Sequence, residues 1–536
     1  MKCDALTAER IGAAWLHGAL APAGDFGRRA QDAAPPFGPG DEAVARRRCA
    51  QIVDLAARLD PDGVAHVRSM VRRAPDPTDI VSRATAGDPL SDVDFFELGR
   101  LADALEATAA AWDAAGGGAA GRPPTIAPLA GVLAPGRAGG AFYLADAFDP
   151  ALIPARAAYA AADAEVAGAR RQLAESLDPA FQPPAGAEEF IVMRDLMPTV
   201  PAGLRVVREA PGYRLLTVEL DADALAAVDR REAALAQLGR TEDLVRRALA
   251  QEVARYGPAV LAAGRALGEL DCTLARVAFT QRWGGCVPEL GGRRFAFSAA
   301  SFVPLRAALS DAGLPYTPIS LDLGGAAVLT GPNMGGKSAA LATCGFLSAC
   351  VAAGLPPPAQ RAALPLFASV AWVGGEPPLP RERLLSAFGA EVVRTRDALS
   401  ASPPALVLVD EFARTTGPHE GRALLVALVE TLAARGVFAL VATHFEGVAR
   451  AARVPHYSIA GLGPRALDAH AAPDVHAALD ALAKAMDYRI VAADGDARSP
   501  SDALALAGLL GLDAAVVERA GVLFDAAAGP AASVTE

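Results

Sequence analysis

The clearest chemistry in the chain lies in eight consecutive residues: Gly331-Pro332-Asn333-Met334-Gly335-Gly336-Lys337-Ser338. They fit a glycine, four free positions, then Gly-Lys-Ser. Glycines let successive backbone N–H groups converge on phosphate oxygens, and a following helix N-terminus adds positive potential. Lys337 would reach the β- and γ-phosphates, and the Ser338 hydroxyl would bind Mg²⁺. Lysine is otherwise found only at Lys2 and Lys484, so a chance match is improbable. These residues point to ATP. A second group is Asp410-Glu411, at the end of the apolar run Leu406-Val407-Leu408-Val409. A buried strand ending in two carboxylates delivers both to the phosphate end of a sheet. Asp410 would hold Mg²⁺ through water, and Glu411 would orient or deprotonate the attacking water. A third is His444, after Val441-Ala442-Thr443, which would sit near the γ-phosphate as a switch residue.

These groups need strands that end together. From about residue 296 the texture is α/β. Residues 326–329 read as a short buried strand entering the glycine-rich turn. Residues 406–409 and 438–442 read as further buried strands, with helical segments between. Residues 1–140 are mostly helical by spacing, as in Ile52, Leu55, Ala56 and Leu59, with a Gly/Ala/Pro loop at 114–124. A helix over 150–177 stops near Asp178-Pro179. Short strands follow at 189–193, 204–208 and 213–220. Helix resumes over 221–282 with breaks near Gly239 and Gly257, giving an elongated arm with a β tip. At the end, 502–510 and 513–525 read as a helical pair turning at Gly511, before a frayed tail. The expected organisation is mixed. A helical core or lever base spans 1–140, lever helices with a small β clamp 141–283, an α/β P-loop ATPase domain 284–499, and a C-terminal helix–turn–helix with tail 500–536.

Composition bounds the function. The 536 residues are 52% hydrophobic and 21% charged, too apolar for a disordered chain. A formal net charge of -11 argues against a dedicated, strongly basic nucleic-acid binder, while leaving room for a local basic groove. Cys3, Cys49, Cys272, Cys286, Cys344 and Cys350 form no CxxC pair, so neither a zinc site nor a disulfide framework is expected. A reducing cytoplasm is the expected location. Acidic residues interrupt the N-terminus early, which does not fit a secretory leader. The uncharged stretch 338–360 follows directly on the phosphate motif and reads as a buried helix, not a membrane span.

The sequence TGPNMGGKS, followed by VDE and ATH, resembles the MutS family of DNA mismatch-repair ATPases, in which the Pro-Asn-Met-Gly insert is close to diagnostic. Tyr316-Thr317-Pro318 precedes the loop by the distance at which that family places an aromatic stacking on adenine. Ser386-Ala387-Phe388-Gly389-Ala390-Glu391 is similar to the family's SxFxxE signature. The resemblance implies an ABC-like ATPase in which Ser386 reaches the nucleotide of the other subunit of a homodimer. Residues 504–520 resemble the C-terminal dimerisation element, and Gly212-Tyr213 with the strand after it resembles the clamp between the lever helices. The likeness is strong over about 310–450 and 500–525 and only a pattern over 1–280.

The departures bear on the client. The loop after Glu411 reads Phe412-Ala413-Arg414-Thr415-Thr416-Gly417-Pro418-His419-Glu420-Gly421, where the family usually has something close to GRGTSTxDG. Lever, clamp and ATPase account for nearly all of the length, leaving little for a mismatch-recognition domain. Phe95-Phe96-Glu97 contains the family's mismatch-reading Phe-x-Glu. Yet Ser91 and Asp94 look like a capping box, and Phe95, Leu98, Leu101 and Leu105 keep helical spacing, which predicts a core helix. On the arm, Arg205, Arg208, Arg214, Arg230, Arg231, Arg246 and Arg247 could meet phosphates, but Glu209, Glu219, Asp229, Glu232 and Glu242 interleave with them. Two clients remain open. One is DNA, held by an ATP-driven clamp. The other is a protein, a cobalamin-dependent lysine aminomutase reactivated by cofactor exchange. A transporter or SMC-type ATPase would need an LSGGQ-like signature, which is not found.

Overall fold

The first residues of the chain are built into a sheet whose strands come from its second half. The Asp4 carboxylate caps helix α1 (Ala5–Arg10) by accepting from the Thr7 N–H. Just before it, Lys2 bridges in parallel to Ser369. The Lys2 N–H donates to the Ala368 carbonyl at 2.8 Å, and the Lys2 carbonyl accepts from Val370 at 3.0 Å. The sheet's own strands are β1 (Ala326–Thr330), β2 (Ser369–Val373), β3 (Ala405–Asp410), β4 (Phe438–Ala442), β5 (His456–Leu462) and β6 (Met486–Ala492). Their spatial order is β2-β3-β4-β1-β5-β6. All neighbours pair in parallel except β5 with β6, which are antiparallel. Helices α2 (Lys337–Ala352), α3 (Ala387–Leu399) and α4 (Pro418–Ala434) connect the strands. The computed structural model describes residues 1–119, 121–184, 187, 189–332, 335–374, 387–401, 403–414, 416–462, 486–493, 507 and 512–527.

The near-continuous apolar runs in β1, β3 and β4 follow from this topology. Parallel strands covered on both faces have no polar side to alternate with. Every residue of β1 and β4 is buried, as is all of β3 except Asp410. Helix α2, the uncharged stretch of the sequence, is buried along most of its length. Ile11 is driven against it so closely that a Cβ on Gly345 would lie 2.2 Å from the Ile11 Cγ2. A second, four-stranded sheet is formed by residues 289–290, 361–364, 295–300 and 319–323, in that spatial order. Among the described residues, no helix is long and apolar enough to cross a membrane.

The described chain forms two compact units. One comprises residues 1–72, 111–122 and 268–536, the other 73–110 and 123–267. Residues 1–72 group with the sheet, into which Lys2, α1 and Ile11 are hydrogen-bonded and packed.

The second unit carries a small antiparallel sheet. Strands Glu189–Met193, Tyr213–Val218 and Leu204–Glu209 make an antiparallel sheet with Tyr213–Val218 in the centre. Leu177, Met197, Leu204, Leu216 and Val218 form its small core. The helix Ala222–Trp283 runs through 62 residues without the expected breaks at Gly239 and Gly257. Gly257 serves close packing instead, since a Cβ there would come within 2.7 Å of the Val81 Cγ1. Phe95 lies in the helix Asp92–Ala114, fully buried, with its ring 5.2 Å from that of Phe142. At the C-terminus, Ala514–Ala527 is helical, while its expected partner over 502–510 falls almost wholly outside the described residues.

Candidate functional site

Local sequence explains the turn between β1 and α2. Gly336 sits at φ +88°, a left-handed conformation that glycine adopts without penalty, and a Cβ there would meet the Tyr488 Cδ1 at 3.2 Å. A Cβ on Gly335 would lie 2.8 Å from the Pro332 Cγ and 2.9 Å from its carbonyl oxygen. The backbone is therefore free of side chains where it turns into the helix, and α2 begins at Lys337. Lys337 is 6% exposed. Its ammonium donates to the carbonyls of Gly331 at 3.0 Å and Pro332 at 3.2 Å, and lies 3.6 Å from the Glu411 carboxylate. Asn333 and Met334 lie outside the described residues.

Strand order brings the remaining groups together. Because β4 lies between β1 and β3, its C-terminal end falls between the glycine-rich loop and the two carboxylates. The Glu411 N–H donates to the Ala442 carbonyl at 3.0 Å, and the Thr443 N–H to the Leu329 carbonyl at 3.1 Å. These bonds hold the ends of all three strands level. The Ser338 hydroxyl lies close enough to the Asp410 carboxylate to favour its charged form. Burial pushes the Asp410 carboxyl up, and Glu411 adds to that. The Ser338 hydroxyl and the positive charges of Arg10 and Lys337 oppose the rise. A hydroxyl and a carboxylate close together, beside a second carboxylate, are a donor set suited to a hard divalent cation.

The expected peripheral residues fall differently. His444 follows β4 directly but is exposed, its ring tilted 39° to that of Phe445 with centroids 4.4 Å apart. The Tyr316 hydroxyl accepts from the Phe302 N–H at 2.8 Å. It lies near Thr343 of α2, the helix that follows the loop, and burial pushes its pKa up. Ser386 lies outside the described residues.

Residues not singled out from the sequence also converge here. Arg10, at the end of α1, is close enough to favour the charged form of Asp410. Tyr488 of β6 lays its ring against Gly336. Glu391 accepts from the Ala413 N–H at 3.0 Å, bracing the segment just after Glu411. Only Glu391 had a sequence signal, as the last position of the SxFxxE match.

Residues 327–521 match the family model of MutS domain V. The chain is 37% identical over 194 residues to the endonuclease MutS2 of Solidesulfovibrio magneticus, covering 35% of this chain and 24% of that one. It is 33% identical over 236 residues to the DNA mismatch repair protein MutS of Granulibacter bethesdensis, covering 42% and 25% respectively. It is 29% identical over 315 residues to the endonuclease MutS2 of Pelotomaculum thermopropionicum, covering 56% and 39%. The chain thus spans between 24% and 39% of the length of these relatives. The loop, the paired carboxylates and the family match fall on the same residues, so residues 327–521 are those of a MutS domain V.

Proposed function

We propose that this chain is an ATP-hydrolysing member of the MutS family, with an ABC-like P-loop domain, that works on DNA. The observation carrying the reading is the meeting of Lys337 with Glu411 at 3.6 Å, with Ser338 close to Asp410 beside them. The N–H groups around Gly335 and Gly336 bind phosphate oxygens, and Lys337 exchanges its loop carbonyls for the β- and γ-phosphates. Ser338 and Asp410 would hold Mg²⁺, which supplies neutralisation of phosphate charge. Glu411 positions the attacking water and takes its proton, and His444 reports on the γ-phosphate from the end of β4. Tyr316 would pack on the adenine, and Ser386 would complete the site of a second subunit in a homodimer working in the cytoplasm. Glu411→Gln should bind ATP normally and hydrolyse it about 10²–10⁴-fold more slowly. Near wild-type turnover would move the base elsewhere.

The client reading follows the relatives' names, mismatch repair protein and endonuclease. A cobalamin-dependent aminomutase client draws no support from them. Most of the arm's arginines are already occupied. Arg214 pairs with Glu209, Arg230 with Glu165, Arg231 with Asp163, and Arg246 with Asp92. Arg205 and Arg208, on the exposed strand Leu204–Glu209, have no ion-pair partner among the described residues. They are the best phosphate contacts the tip offers. Arg205→Ala with Arg208→Ala should weaken binding of matched and mismatched duplexes alike. The same variant should reduce the slope of log affinity against log salt by about 2. An unchanged slope would remove the tip from the DNA interface.

A further inference from the structure

The segment after β3 is strained in an unusual way. Glu411 has φ +53° and Ala413 φ +63°, two non-glycine residues in the left-handed region on either side of Phe412. Each such residue costs on the order of 1 kcal/mol or more, and persists only where the surroundings hold it. The double reversal turns Glu411 back toward Lys337. What holds it comes largely from α3. Glu391 is 8% exposed, and its Oε2 accepts from the Ala413 N–H at 3.0 Å. Ala413 is fully buried, so its N–H must have a partner inside the protein. Three residues earlier on the same helix face, the Phe388 ring meets that of Phe412 at 6.3 Å. On the other side, the Thr416 hydroxyl and N–H both donate to the Ala413 carbonyl, at 2.8 and 3.2 Å.

We propose that Glu391 is a positioning residue for hydrolysis: its buried carboxylate fixes Ala413 in the left-handed conformation, and thereby aims Glu411 at the phosphate end of the site. It touches neither nucleotide nor water and acts only through the loop 411–416. The bond to Ala413 requires an acceptor rather than a charge, because its donor is a neutral peptide N–H; the Arg414 and Arg394 charges also act on the carboxylate but do not form this bond. An amide oxygen in the same place serves equally. An alanine leaves a buried donor unpaired next to two strained residues, and the loop relaxes to other conformations.

This proposal rests on the ATPase reading above, and the experiment separates the two. Wild type, Glu391→Ala, Glu391→Gln and Lys337→Ala are compared for ATP affinity, kcat, melting temperature and amide hydrogen exchange without nucleotide. Glu391→Ala is expected to bind ATP within about threefold of wild type, to lose at least tenfold in kcat, and to exchange faster across 411–416. Glu391→Gln is expected to keep kcat within about threefold and to exchange at the wild-type rate. Unchanged exchange and kcat in Glu391→Ala would overturn the proposal. So would a Gln variant as impaired as the Ala variant, or a loss confined to melting temperature. Wild-type turnover no greater than that of Lys337→Ala would instead defeat the ATPase reading. In that case faster loop exchange in the Ala variant, rescued by Gln, still bears out the structural half of the proposal, and unchanged exchange still overturns it.

Discussion

Two short stretches of this chain carry residues that match functional motifs of the same family, and the structure houses them in opposite ways. In the first, Gly331-Pro332 and Gly335-Gly336 lie between a fully buried strand and a helix N-terminus, where the backbone can face a ligand. Phe95 to Glu97 lies within one helix, where Phe95 is fully buried, Leu98 is 1% exposed and Leu101 is fully buried. The first motif has its chemistry because the surrounding elements present it. The second keeps the residue types and loses the presentation. A wedging aromatic has to stand free at a surface, whereas Phe95 packs on Phe142 and Phe142 on Phe148. Glu97 pairs with Arg100 one turn along at 2.9 Å. A motif match is therefore worth what its flanking elements allow.

The sharpest way to break this comparison is at the first motif. Lys337→Ala should lose ATP affinity and lower turnover by about 10²–10³-fold or more, since it removes a charge aimed at the transferred phosphate. Its bonds are to its own loop, so the melting temperature should change little. Retained ATP affinity would put the two motifs on the same footing. The converse experiment is Phe95→Ala, which should cost about 3–5 kcal/mol in denaturant unfolding through the cavity it leaves. It should not alter the ratio of affinities for matched and mismatched duplexes. A tenfold mismatch preference that vanishes in this variant would restore Phe95 as a sensor. Glu97→Gln, at an exposed pair, should cost less than about 1 kcal/mol and leave DNA binding alone.

A pH-dependent effect concerns the start of that helix. Asp94 accepts from the Ser91 N–H at 2.7 Å and from its hydroxyl at 2.8 Å, and is paired with Arg83. Partial burial raises its carboxyl pKa, but the Arg83 and Ser91 hydrogen bonds outweigh this and hold it below the ordinary value of 3.8. A depressed folded-state pKa means the unfolded chain binds the proton first. The contribution is thus complete above the unfolded value and disappears as pH falls through the folded one. Asp94→Ala should cost about 1–2 kcal/mol at neutral pH and progressively less below about pH 4. A pH-independent difference between the two proteins would show that Asp94 acts by packing alone.

Much of the fold was legible because its signals are local. Runs of buried apolar residues marked β1, β3 and β4 to within about a residue. A change from helical to strand texture marked the strands at 189–193, 204–208 and 213–220, and the capping pair Ser91–Asp94 marked a helix start. Where local signals misled, packing was the reason. Gly257 reads as a helix break, but inside Ala222–Trp283 it makes room for Val81. The grouping of Lys337, Ser338, Asp410 and Glu411 in the candidate site was legible because phosphate chemistry would demand those types at the ends of strands. Its supports were not.

The sequence by itself determined the loop chemistry, the buried strands that carry it and the helical placement of Phe95, since each depends on residues within a few positions of one another. The tertiary structure alone decided that Thr7 accepts from the Trp372 N–H, 365 residues away, and so brings Arg10 toward Asp410. It alone placed Tyr488 on Gly336 and Glu391 under Ala413. Such pairings are set by strand order and by which buried N–H needs a partner, and neither quantity has a period that can be read along the chain.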